Sequence, residues 1–259
     1  MLRPRLIVSL LIDRELHLVK TQGFANRQYI GDPLNAAYIF SGFNVDELLI
    51  LDIDASLEKR VIPGAFIKSL SYYTSVPICV GGGISSLHEV YELLSMGVER
   101  IAISHALDAD FSFLSKCVQR FGSSTISVII NTSSSADLHY LGRFGRYGKD
   151  HSLLQLAVQC QEAGAGEIIF HDRDREGLGM GFDADLFADL NNVLNIPIVA
   201  LGGCGSSKHI CDLLTNVPTI GVAAGSQFVF APKTRHVLLN YPDTSDLFSS
   251  IFANLHKAF

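Results

Sequence analysis

Shifted by 120 residues, this chain falls on itself in three separate places. VPICVGGGISS at 76–86 meets IPIVALGGCGS at 196–206, and ELLILDID at 47–54 meets EIIFHDRD at 167–174. The same shift sets Glu47 on Glu167, Asp52 on Asp172, Asp54 on Asp174 and, in a third segment, Leu11 on Asn131. One offset held across separated segments marks a duplicated structural unit. The fold must therefore let one unit close against a copy of itself.

The unit is legible from its apolar runs. RLIVSLL (5–11), ELLILDI (47–53), PICV (77–80) and RIAIS (100–104) fill one half. ISVIIN (126–131), EIIFH (167–171), PIVAL (197–201) and TIGVA (219–223) fill the other. Amphipathic stretches such as SSLHEVYELLSMG and SSKHICDLLTN lie between them. Short runs with little alternation are strands covered on both faces, and their alternation with helices indicates parallel βαβ units. A single (β/α)8 barrel over residues 1–259, made of two duplicated half-barrels, satisfies all of this. Its core is large, since 48% of residues are hydrophobic and only 18% charged.

Composition also narrows function. A net charge of −6 without a basic run argues against a nucleic-acid partner. No run approaches the length of a membrane span. MLRPRLIVSLLI starts like a secretory signal, but its apolar run meets Asp13 and Arg14 without a cleavage site, so it reads as the first strand. The five cysteines (79, 117, 160, 204 and 211) are odd in number and lack metal-site spacing. They read as reduced thiols of a cytoplasmic protein, with no metal and no cofactor expected.

Barrel chemistry sits at the C-terminal ends of the strands. VGGGISS (80–86) and LGGCGSS (201–207) both fall where a strand passes to a helix, which makes Gly82, Gly83, Gly202 and Gly203 candidates for phosphate contacts. Tight turns would demand the same glycines, so both readings stand. AAGSQFVF (223–230) adds Gly225 and Ser226, and the charged loop DRDREG (172–177) adds Gly177. His171 shares the phase of Glu167 and Ile169, so it faces the mouth if they face the interior. There it is either an acid/base or a hydrogen-bonded structural histidine. At the opposite end Arg5, Glu47, Arg100 and Glu167 each open a strand. Pointed inward, they make a ring of alternating charge on the barrel floor, either a polar gate or a structural ion-pair network.

These segments together resemble the HisF family, the cyclase subunits of imidazole glycerol phosphate synthase, over nearly the whole chain. The matching stretches are GDP (31–33), DELLILDIDAS (46–56), VGGGI (80–84), FGS (121–123), GAGEI (164–168), DRDREG and ALGGCG (200–205). The resemblance implies a HisH-like glutaminase docked on the N-terminal face of the barrel. Ammonia would then pass a gate at Arg5, Glu47, Arg100 and Glu167, with Arg100 standing where the family commonly has Lys. It implies phosphate contacts at Gly83, Gly203 and the AGS at 224–226, and places Lys20 on a mobile loop after the first strand.

Two departures bear on the reaction. The family's cyclases use aspartates at the tops of strands one and five, and the matching positions here are Leu11 and Asn131. Neither side chain is an ordinary general acid or base. Ser104 and His105 stand where the family's first phosphate loop has Asn-Thr. MLRPR, VKT (19–21), YIGDP (29–33), AAGSQFVF and NYP (240–242) resemble instead a branch associated with acetamidino modification of surface-polysaccharide sugars. That resemblance implies an ammonia-conducting subunit serving an ATP-dependent sugar amidotransferase, with a phosphate-bearing small molecule at the mouth. The alternatives are a histidine-pathway cyclase recruiting Asp13, Asp174 or His171, and a catalytically silent phosphate-binding scaffold.

Overall fold

A computed structural model describes residues 3–104, 111–132, 153–218, 220–231 and 234–255, with side chains to residue 249. Met1, Leu2, His105 and Thr219, each part of a motif above, lie outside these residues. Eight parallel strands form the barrel wall: β1 (Leu6–Ile12), β4 (Glu47–Asp52), β5 (Ile78–Gly81), β6 (Arg100–Ile103), β7 (Ile126–Thr132), β8 (Glu167–Asp172), β9 (Ile198–Leu201) and β10 (Gly221–Ala224). β10 pairs back onto β1 through Leu6↔Val222 and Val8↔Ala224, which closes the sheet.

The duplication is written into the strand pairing. Ile7 sits opposite Glu47 and Ile12 opposite Asp52, while Ser127 sits opposite Glu167 and Thr132 opposite Asp172. Leu48 opposite Ile78 recurs as Ile168 opposite Ile198. Because side chains alternate faces along a strand, equal register gives both halves the same inward set. In β1, Leu6, Val8, Leu10 and Ile12 join the layer between strands and helices, whereas Ile7 and Leu11 join the interior cluster. Both faces are dry, hence the near-continuous apolar runs.

Helices α1 (Pro33–Gly42), α3 (Gly64–Tyr73), α4 (Leu87–Ser95), α5 (Ser112–Phe121), α6 (Leu153–Glu162), α7 (Ala184–Val193) and α8 (Ser207–Asn216) follow successive barrel strands. Short α2 (Ala55–Glu58) and α9 (Ser226–Val229) sit in loops, and α10 (Thr244–Leu255) packs beside α8. Starts are encoded locally. Asp32 caps α1 ahead of Pro33, and Ser86 with Glu89 forms a reciprocal capping box on α4.

The sheet has ten strands where the apolar runs indicate eight. The segment after β1 is a hairpin, β2 (Leu18–Gln22) and β3 (Ala25–Gly31), with β2 antiparallel to the top of β1 through Leu11↔Val19. β3 begins ANRQY and is largely exposed, so no apolar run marks it.

Phe170 is 1% exposed on the outer face of β8, with its ring 6.3 Å from Phe187 of α7. Phe170→Ala should cost about 4 kcal/mol through lost burial and an unfilled cavity. Denaturant unfolding checks this, and the midpoint should fall with the slope unchanged.

Candidate functional site

The floor quartet converges. Arg5 donates to Glu47 at 2.6 Å and also to Glu167, so one guanidinium spans both carboxylates. Arg100 donates to the other oxygen of Glu167 at 3.0 Å, and the Ser127 hydroxyl reaches that same oxygen at 3.1 Å. Glu47 and Glu167 are 3% and 1% exposed, so every charge here depends on its neighbours. Burial pushes the Glu47 carboxyl up, against the nearby charges of Arg5 and Arg100. Desolvation likewise lowers Arg5, opposed by Glu47. Above the ring the interior turns apolar through Cys79, Ile7, Leu49, Ala102, Ile129, Ile169, Val199 and Ala223.

At the mouth the glycine loops have a steric cause. A Cβ on Gly82 would lie 2.5 Å from the Asp52 carbonyl oxygen, and one on Gly202 would overlap that of Asp172. Both glycines have positive φ, so neighbouring βα loops cross too closely for any other residue. Gly83 and Gly203 are crowded in the same way, by the carbonyl oxygens of Arg60 and Gly181. The crossing loops are themselves held by the repeated aspartates. Asp52 accepts from the backbone of Asp54 and Ala55, and Asp172 from that of Asp174 and Arg175.

The two loops differ in the donors they offer. The Gly83 N–H donates to Ser56 Oγ at 3.2 Å, and those of Ser85 and Ser86 both donate to the Glu89 carboxylate at 2.8 Å. The α4 capping box thus occupies an end that the glycine pattern offers to an anion. Ser104, half-buried, follows β6 on that side. On the other side Ser226 Oγ is buried without a partner among the described residues, beside Gly225.

The hairpin crosses this mouth. Its turn rests on the DRDREG loop, where Gly23 N–H donates to the Glu176 carbonyl at 3.0 Å. A Cβ on Gly177 would overlap the Thr21 carbonyl oxygen, so glycine there gives the hairpin its seat. Phe24 lies 4.7 Å from the His171 ring, with the Arg173 guanidinium 5.8 Å from Phe24. Arg27 ties β3 to the loop after β4 by two hydrogen bonds to Asp54, at 2.7 and 2.5 Å.

Lys20, expected on a loop, stands in β2 at 3% exposure, because pairing with the top of β1 carries it inside. Its ammonium donates to the Ser9 carbonyl at 2.8 Å, packed against Gly225. Burial lowers it to about 8, with Glu176 the opposing charge. Glu176 is 5% exposed and lies 3.3 Å from His171 Nε2. Burial would raise its carboxyl, yet the hydrogen bond and charge of His171, with the charge of Lys20, hold it below the usual range. Glu176 is the residue that sequence reasoning passes over, since only the charge density of DRDREG hints at it.

Leu11 is 3% exposed in the interior cluster, and Asn131, half-buried, pairs with His171 across the β7–β8 ladder. Asp13 turns back on its own loop, accepting from the Glu15 and His17 backbones at 3.1 and 2.8 Å. Cys79, Cys117, Cys160 and Cys204 are buried thiols, and burial pushes Cys117 to about 11 and both Cys160 and Cys204 to about 12. No described helix is long and apolar enough to cross a membrane.

A depressed amine penalises the folded state fully below pH 8, and the penalty fades as pH rises toward the ordinary value of 10.5, because only there does the unfolded chain hold the extra proton. Stability from Lys20 therefore rises with pH across that window, and at pH 7 the buried charge costs about 3 kcal/mol. Lys20→Met should stabilise the protein at pH 7 and flatten this rise. Urea unfolding of both proteins at pH 7 and pH 10 checks it.

Comparison with known proteins agrees with this architecture. The model of the histidine biosynthesis protein family matches residues 6–233. A HisF-named imidazole glycerol phosphate synthase subunit of Leptospira borgpetersenii is 38% identical over 249 residues, covering 95% of this chain and 98% of its own. One named hisF2, from Pseudomonas aeruginosa, is 36% identical over 95% of this chain and 99% of its own. The imidazole glycerol phosphate synthase subunit HisF of Streptococcus sanguinis is 30% identical over 88% and 91%. The chain is a HisF-like synthase subunit and belongs to the histidine biosynthesis protein family.

Proposed function

We propose that this barrel conducts ammonia from a HisH-like glutaminase on its floor to its mouth, for amidination of an N-acetyl sugar in surface-glycan biosynthesis. An ATP-dependent sugar amidotransferase would consume the ammonia. The observation that carries the reading is the inward floor quartet beneath an apolar interior. A hydrophobic plug is the ordinary way to fill a barrel, and buried charge makes a costly substitute. Charge at the entrance admits a polar molecule, and the dry lining passes neutral ammonia while excluding ammonium. Residues Arg5, Glu47, Arg100 and Glu167 form the gate in this reading.

Leu11 and Asn131 favour delivery over ring closure, since neither holds a carboxylate where the cyclase needs one. A phosphate-bearing small molecule fits best at the Gly202, Gly203, Gly225 and Ser226 side, where a buried hydroxyl has no partner among the described residues. The side of Gly82, Gly83 and Ser104 supports a second phosphate less well, because Gly83 and the α4 start already have internal partners. The histidine-pathway cyclase stays as a second reading because titratable groups do gather at the mouth. Rescue of a histidine auxotroph lacking its own cyclase subunit separates the two, with no growth expected.

Cys79 lies in the interior just above the quartet, fully buried. Cys79→Phe should obstruct the passage at an overpacking cost of about 1–3 kcal/mol. With glutaminase, barrel and amidotransferase present, glutamine-dependent amidination should fall at least tenfold while amidination from added ammonium chloride persists. Equal rates with and without this barrel would refute the reading.

A further inference from the structure

The two rim positions that lack carboxylates each have a titratable neighbour one strand away. Asn131 on β7 pairs with His171 on β8. Leu11 on β1 pairs with Val19, next to Lys20 on β2, and Lys20 reaches back to the Ser9 carbonyl of β1. Glu176 lies 3.3 Å from His171 Nε2, and its charge acts on Lys20 from beyond ion-pair distance. We propose that Lys20, Glu176 and His171 form a proton-transfer centre that acts on a short phosphorylated α-hydroxy aldehyde or ketone at the mouth. The proposal rests on the phosphate reading of the Gly203 and Gly225–Ser226 loops and is independent of ammonia conduction.

Three observations carry it beyond a structural ion cluster. A lysine and a glutamate alone would balance charge, and apolar residues would fill the space at lower cost, yet a third titratable group is packed in. Ser226 Oγ, beside the Gly225 against which the Lys20 ammonium packs, is buried without a partner among the described residues, as is Thr21 Oγ1, the next residue along β2 from Lys20. Such orphaned groups are costly unless something polar completes them. The surroundings also suit proton transfer. Lys20 faces Glu176; Glu176 faces His171, Lys20 and Cys204; His171 faces Glu176 and Phe24, with Arg173 beyond the ring.

The chemistry follows from the donors. With Nε2–H of His171 donating to Glu176, the imidazole lone pair is on Nδ1. The α C–H bond breaks, its proton passes to Nδ1, and its electron pair becomes the C=C bond. The carbonyl π pair moves to oxygen, which takes a proton from the Lys20 ammonium. Reversal restores the carbonyl, the amine regains its proton, and the imidazolium returns one to carbon. Nothing is oxidised or reduced overall.

The test incubates the full chain in D2O with dihydroxyacetone phosphate or glyceraldehyde 3-phosphate. Proton NMR follows loss of the α-proton signal, and calorimetry measures binding of inorganic phosphate. We expect exchange that falls about 100-fold in both His171→Asn and Lys20→Met. Glu176→Gln should lower it about tenfold and displace its pH profile, as expected of a positioning residue. Tyr72→Ser, exposed on α3 and purified identically, should exchange at the unaltered rate, which excludes a contaminating isomerase as the source of the differences. Thermal melting and phosphate binding of His171→Asn should stay as in the unaltered protein. Phosphate binding without exchange on either probe, or equal exchange in His171→Asn, overturns the proton-transfer centre. Absence of phosphate binding overturns it together with the phosphate reading.

Discussion

Closure of the sheet by the β10–β1 pairing is the contact on which everything else depends. An open sheet with this sequence would leave two strand edges bare and send its inward residues to solvent. Once closed, Arg5, Glu47, Arg100 and Glu167 are held where they must meet, and opposite charges at that range make their burial tolerable. The same closure fixes inside and outside for every strand. Leu6 and Ile7, adjacent in the chain, therefore belong to different apolar clusters.

Much of this was legible in the residues, for a physical reason. A duplicated unit repeats its constraints, so the 120-residue offset in sequence became a repeated register in space: Ile7↔Glu47 recurs as Ser127↔Glu167. The inward phase of Arg5 and Glu167 followed from strand periodicity. The β2–β3 hairpin did not follow. Its register comes from docking on β1, the Glu176 backbone and Asp54, and long-range contacts leave little trace in local patterning. Glu176 was hidden for the same reason, since the charge of Lys20 comes near it only when the hairpin lies across the mouth. The glycine loops were legible as turns. Whether their N–H groups remain available depends on side chains such as Glu89 and Ser56, which act from beyond the motif.

The two ends of the barrel thus hold different electrostatic problems. The floor pairs two carboxylates with two guanidiniums and is complete in itself. The mouth keeps a lysine whose charge is penalised by burial, a histidine–glutamate contact and, at Ser226, a hydroxyl without a partner among the described residues. Self-sufficient charge suits a gate, and incompletely satisfied polar groups suit a ligand site. Between them lies an apolar interior that separates the two chemistries.

The proposed conduit is tested most directly by isotope competition in the assembled system. Glutamine labelled with 15N at the amide is supplied together with an excess of unlabelled ammonium, and the amidinated sugar is analysed by mass spectrometry. Ammonia that travels through the barrel interior gives product retaining most of the 15N. Product diluted to the isotopic composition of the bulk ammonium would contradict passage through the barrel.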